Sequence, residues 1–147
     1  MSDLSDLYQE VILQHSKAPR NFGVAEPHNH DAEGYNPLCG DEVRVTVDVQ
    51  DGVIQDVKFT GQGCAISTAS ASLMTETVKG QPVERAEALF EHLRALLTGD
   101  AEPDEDLGKL QVFVGVRQFP MRVKCATLAW HTLHSALKGE DDVVSSE

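Results

Sequence analysis

Val43-Arg44-Val45-Thr46-Val47-Asp48-Val49-Gln50-Asp51-Gly52-Val53-Ile54-Gln55-Asp56-Val57-Lys58-Phe59-Thr60 carries the periodicity of a β-hairpin. From 43 to 49 valine alternates with a polar residue, the two-residue period of a strand that buries one face. Asp51-Gly52 supplies the positive φ of a tight turn, and residues 54–60 return as the second strand. Gly61-Gln62-Gly63-Cys64 follows at once, and then a run of small residues with Ile66, Ala69 and Leu73 on one face predicts a helix ending near Gly80. Cys64 is thereby placed where a strand becomes a helix.

On the N-terminal side, residues 21–36 include Gly23, Pro27, Asn29, His30 and Gly34 without periodicity, and they read as a surface loop. Before them Leu4, Leu7, Tyr8, Val11 and His15 recur at helical spacing. This predicts an amphipathic helix over about 5–15, capped by Ser5 or Ser2 and ended by Pro19. On the C-terminal side Ala86, Leu89, Phe90, Leu93, Leu96 and Leu97 mark another amphipathic helix, followed by an acidic, Pro-containing loop over 99–106. Residues 110–116 fit a short strand or a helix equally well. Pro120 suits the first position of a last helix carrying Met121, Cys125, Leu128, Ala129, Thr132 and Ala136 along one side. Helix, hairpin and then several helices indicate an α+β fold in a single domain over 1–138, with residues 139–147 as a disordered tail.

The chain has 147 residues, enough for one core, with hydrophobic and charged fractions of 41% and 24% that match a globular domain. No apolar run reaches bilayer length, and Met1-Ser2-Asp3-Leu4 opens neither a basic nor an apolar leader. The expectation is a soluble, cytoplasmic protein. With 24 acidic against 12 basic residues, the net charge of −12 argues against nucleic acid and membrane as partners. Cys39, Cys64 and Cys125 are an odd set in a reducing compartment, which favours metal or sulfur chemistry over disulfides.

In Cys39-Gly40-Asp41 a thiol and a carboxylate stand two residues apart, with Gly40 opening backbone shapes closed to other residues. Cys64 at a helix start would meet unpaired amides, and Cys125 is flanked by Arg122 and Lys124; both settings favour thiolate. Thiolate binds zinc and also attacks sulfur. Three thiolates and one carboxylate suit tetrahedral zinc, with Arg122 and Lys124 offsetting the excess charge. Spacing alone leaves a joint site open, because no C-x-x-C pair is present and Cys125 shares the apolar stripe of its helix, where a packed thiol is also expected.

Other polar groups read as structural. His15 lies on an apolar face, His28 and His30 in a loop, and His131 and His134 on a helix surface without a third partner. The acidic run over 100–106 lacks a calcium-loop pattern. Ser67, Thr68, Ser70 and Ser72 suit a helix approaching the sheet closely, and Trp130 points about half a turn away from Cys125 into the core.

Three ordered blocks, Asn36-Pro37-Leu38-Cys39-Gly40-Asp41, Gly61-Gln62-Gly63-Cys64-Ala65-Ile66-Ser67 and Phe119-Pro120-Met121-Arg122-Val123-Lys124-Cys125-Ala126-Thr127-Leu128-Ala129-Trp130, together closely resemble the IscU/NifU-like family of iron–sulfur assembly proteins, and most of all its SufU branch. The resemblance runs from the first helix to about Lys138. It implies a small three-stranded antiparallel sheet covered by helices, a helical reading of 107–114, and convergence of Cys39, Asp41, Cys64 and Cys125 on one metal, Zn2+. It further implies a zinc-dependent sulfurtransferase that takes persulfide sulfur from a SufS-type cysteine desulfurase and passes it to downstream Fe–S assembly proteins. In that scheme the desulfurase cysteine displaces Cys39 from zinc, the freed Cys39 attacks the persulfide, and Arg122 holds the incoming anionic sulfur or stabilises the displaced ligand.

Two alternatives accompany the resemblance. One is a scaffold on which iron assembles into a [2Fe–2S] cluster; the other is a zinc-stabilised activator of the desulfurase that accepts no sulfur. Scaffolds of the IscU type carry histidine before the last cysteine and a Leu-Pro-Pro-Val-Lys motif. This chain has Lys124 and Phe119-Pro120-Met121-Arg122-Val123-Lys124 instead.

Overall fold

The computed structural model describes residues 3–99, 102, 105–139 and 144–145. In the chain order of strands, β1 (His30–Asn36), β2 (Asp41–Gln50) and β3 (Val53–Gln62) form an antiparallel sheet. The hairpin β2–β3 is the one its alternation requires: Val45 faces Phe59 and Val47 faces Val57 across it, all four buried. Asp51 (φ 55°) and Gly52 (φ 76°) take the positive φ of the turn.

Strand β1 corrects the expectation of a loop over 21–36, whose last seven residues pair with β2 from His30 opposite Val47 to Asn36 opposite Asp41. Its inward positions are Ala32, Gly34 and Asn36, so no apolar alternation betrays it. They are small because a helix lies directly on them. A Cβ on Gly34 would overlap Thr132 Oγ1 and stand 3.1 Å from Leu128 Cδ1.

That helix is α4 below. In chain order the helices are α1 (Asp3–Lys17), α2 (Ala65–Val78), α3 (Val83–Thr98) and α4 (Pro120–Lys138). Helix α4 rests on β1 and β2, α2 on β3 and α4, α1 on α2, and α3 on α4. One face of the sheet is thus covered, and the other carries exposed Asp31, Glu33, Tyr35 and Glu42. The small side chains after Cys64 let α2 approach α4 closely, with the Ser70 hydroxyl donating to the Ala126 carbonyl.

Residues Glu105–Val116 form a 3₁₀ segment broken at Gly108 (φ 54°, ψ −128°), the helical choice for a stretch whose pattern was ambiguous. Its buried residues are Leu107, Leu110, Val112, Phe113 and Val116, and all but Val112 recur every three positions, the 3₁₀ repeat. Asp106 at its start pairs with Arg85 at 2.6 Å, while Asp100, Pro103 and Asp104 of the acidic run lie outside the described residues. Gly139 (φ 74°) caps α4 in the left-handed conformation. Val144–Ser145 form β4, paired parallel with Gly34 and Tyr35 of β1, where a disordered tail was expected; residues 140–143 and 146–147 lie outside the described residues.

Candidate metal centre

The site is assembled from three chain segments at one end of the sheet. Asn36, fully buried, ends β1 and organises the turn that follows. Its carbonyl accepts N–H bonds from Cys39 (3.3 Å) and Gly40 (2.8 Å), and its side-chain Oδ1 accepts one from Leu38 (3.2 Å). Gly40 completes the turn at φ 75°. Cys39 is left exposed, whereas Asp41, the first residue of β2, is 1% exposed.

The second segment is the end of β3. Gly63 passes so close to Asp41 that a Cβ there would lie 2.6 Å from Oδ1. This approach lets the Cys64 N–H donate to Asp41 Oδ1 at 2.9 Å. Cys64 is also the N-cap of α2, its sulfur accepting from the Ser67 N–H at 3.4 Å. The third segment is α4, started by Pro120, whose second turn carries the buried Cys125. Cys125 Sγ lies 3.6 Å from Cys39 Sγ and 3.8 Å from Asn36 Nδ2.

The structure brings Cys39, Asp41 and Cys125 into one group and sets Cys64 beside it, against Asp41. Ligand atoms of Cys39, Asp41 and Cys125 lie within 4.8 Å of one another, and Cys64 Sγ stands 4.0 Å from Asp41 Oδ2. The Arg122 guanidinium stacks on the Phe119 ring, 4.8 Å from the centroid. There it lines an apolar cleft of about 580 Å³ between α1, the 3₁₀ segment and the start of α4, with Tyr8, Ile12, Ile66 and Val114 among its walls.

Burial pushes the Cys125 thiol far above its ordinary value of 9.0, helped by hydrogen bonding to Asp41 and by the charge of Cys64. This corrects the expectation that Arg122 and Lys124 would lower it, since desolvation outweighs neighbouring cations on an enclosed sulfur. A thiol whose folded pKa is raised stabilises the metal-free fold below pH 9.0 and ceases to do so as pH climbs through the folded value. The metal-free protein is accordingly expected to lose stability above about pH 9, and urea midpoints taken from pH 7 to 10 will register it.

The donor set fits zinc. Tetrahedral Zn–S bonds of about 2.3 Å place two sulfurs about 3.8 Å apart, close to the 3.6 Å between Cys39 and Cys125. Three thiols and a carboxylate, two of the four side chains buried, form a soft, partly enclosed donor set. A dication would supply the positive charge that these donors, once ionised, otherwise lack.

A family model described as the NifU-like N terminal domain matches residues 7–138. The chain belongs to that family. The NifU-like chain is 39% identical over 141 residues to a zinc-dependent sulfurtransferase SufU of Bacillus subtilis, covering 95% of each. It is 40% identical over 139 residues to the iron–sulfur cluster assembly scaffold protein IscU of Streptococcus pyogenes, covering 94% of this chain and 87% of that one. A crystal structure of a putative iron–sulfur cluster assembly scaffold protein for the SUF system from Fervidobacterium islandicum superposes with a TM-score of 0.82 at 39% identity, over 87% of this chain and 94% of the other.

Sequence reasoning gave no role to Asn36, although it opens the first of the three family-like blocks and stands in the turn-favouring dipeptide Asn36-Pro37. Of the six histidines, His15, His28, His131 and His134 have other partners. His15 is buried with Nδ1 2.7 Å from Ser72 Oγ, and burial lowers its pKa. His28 bonds the Ala25 carbonyl, His131 packs edge-on against Phe90, and His134 meets Glu87 at 2.7 Å. No helix among the described residues is long and apolar enough to cross a membrane.

Proposed function

We propose that this chain is an iron–sulfur cluster assembly protein that accepts persulfide sulfur on Cys39 from a SufS-type cysteine desulfurase and passes it to downstream assembly proteins. Cys39, Asp41, Cys64 and Cys125 would hold zinc, which when bound keeps the thiols as thiolates at neutral pH. The observation that carries the reading is the difference in tethering among three clustered thiols. Cys125 is buried in a helix, and Cys64 is fastened by Asp41 Oδ1 at its N–H and by Ser67 at its sulfur. Cys39 is exposed on a turn, and its sulfur meets only the Cys125 thiol among the described residues.

The transfer is thiol–persulfide exchange. Cys39 thiolate attacks the terminal sulfur of the donor persulfide; a new S–S bond forms to Cys39, the old one breaks, and the donor cysteine leaves as thiolate with no net redox change. Arg122, one turn before Cys125 on α4 and beside the cleft, would hold the incoming anionic sulfur or stabilise the displaced ligand.

The test combines metal analysis of the purified protein with labelled-cysteine transfer in the presence of a desulfurase. About one zinc per chain and label on wild type that falls to background in Cys39→Ala is expected. Undiminished sulfur turnover by Cys39→Ala that still binds zinc and desulfurase would leave an activator, and stoichiometric iron with visible charge-transfer bands would leave a scaffold.

A further inference from the structure

We infer that Asn36 is a positioning residue that sorts the two touching thiols of the site, making Cys125 the anchored sulfur and leaving Cys39 the releasable one. The inference rests on the proposed zinc and sulfur-transfer reading and deepens it. Asn36 is fully buried, and the orientation of its amide is dictated by its neighbours. Its Oδ1 must face the Leu38 N–H, 3.2 Å away, because only the oxygen can accept. The NH₂ group is thereby turned toward Cys125 Sγ at 3.8 Å.

An N–H aimed at sulfur withdraws charge from it, so the sulfur it reaches is the less electron-rich and less nucleophilic of the pair. Cys64 receives the same treatment from the Ser67 N–H. Among the described residues no N–H reaches Cys39 Sγ, whose partner is the Cys125 thiol. The two sulfurs that touch are therefore electronically unequal, and the more electron-rich one is the exposed one. One residue produces both halves of this asymmetry, since the Asn36 carbonyl also holds the Cys39 and Gly40 amides that set the turn.

The test separates the sulfur contact from the turn. In Asn36→Ser the hydroxyl can accept from the Leu38 N–H as serine does in such turns, yet it is too short to reach Cys125. Cobalt is the probe, because its sulfur-to-metal charge-transfer band reports the energy of the sulfur lone pairs without any desulfurase. Asn36→Ser is expected to shift that band to lower energy and to lose zinc to a chromophoric chelator about tenfold faster than wild type, with far-UV dichroism unchanged.

A folded Asn36→Ser with the wild-type band and extraction rate overturns the proposal. Should Asn36→Ser fail to fold, Asn36→Asp, which keeps the acceptor and removes the donor, is read the same way, and loss of fold in both variants assigns Asn36 to architecture alone and also overturns it. Failure of the sulfur-transfer reading is distinct, being read from label on Cys39 in the wild type.

Discussion

Gly61→Ala is expected to destabilise the metal-free protein by about 4 kcal/mol and to strip it of its metal. Gly61 pairs with Val43 in the hairpin at φ 141°, a conformation L side chains rarely adopt. A Cβ there would overlap the Glu42 carbonyl oxygen and lie 2.9 Å from both Glu42 C and Val43 Cα. These are main-chain atoms of β2, so no rotamer change relieves the clash and the strands must part. They part next to Asp41, which holds Cys64 through its N–H. Strain of about 1–3 kcal/mol adds to overpacking of similar size, a large share of the roughly 5–15 kcal/mol that a domain possesses. Gly52→Ala is the control: its φ is 76°, but nothing lies within 4 Å of the added carbon, so only backbone strain of about 1 kcal/mol is expected. Urea midpoints of the two variants within about 1 kcal/mol of each other would refute the clash.

Zinc affinity should rise steeply with pH. In the metal-free protein burial keeps Cys125 protonated throughout the neutral range. The ion binds thiolate, so each ion bound expels that proton, and acid favours the competing thiol. Cys125 alone gives a slope of about tenfold per pH unit, or about a hundredfold weaker binding at pH 6 than at pH 8. Any further thiol that loses its proton on binding adds to the slope. Competition with a chromophoric chelator across this range measures it, and a flat profile would remove Cys125 from the ligand set.

The hairpin was legible because valine alternation and Asp51-Gly52 are local signals that the final packing leaves intact. Strand β1 was not, because its inward Gly34 was shaped by contact with Thr132 and Leu128, almost a hundred positions away. The three-residue recurrence of Leu107, Leu110, Phe113 and Val116 fell between the two periods a pattern search recognises. At the site, spacing alone could not join Cys39 to Cys125 across 86 residues; likeness in three separate blocks did so. Sequence neighbourhood misled at Cys125, where Arg122 and Lys124 suggested an ionised thiol. Burial, invisible in a string of letters, prevails there.

The turn that carries Cys39 spans only residues 37–40 between Asn36 and Asp41, each buried and fixed at a strand end. Four residues stretch to roughly 14 Å, so a thiol at their crest can wander by about half that distance. In the proposed exchange this protein is the quay and not the boat: a donor must bring its cysteine on a long mobile arm, and any recipient must do likewise. Lengthening the tether would enlarge the thiol's range while diluting its encounter with a docked arm, and timing of the handover would then pass from the partner's arm to this chain.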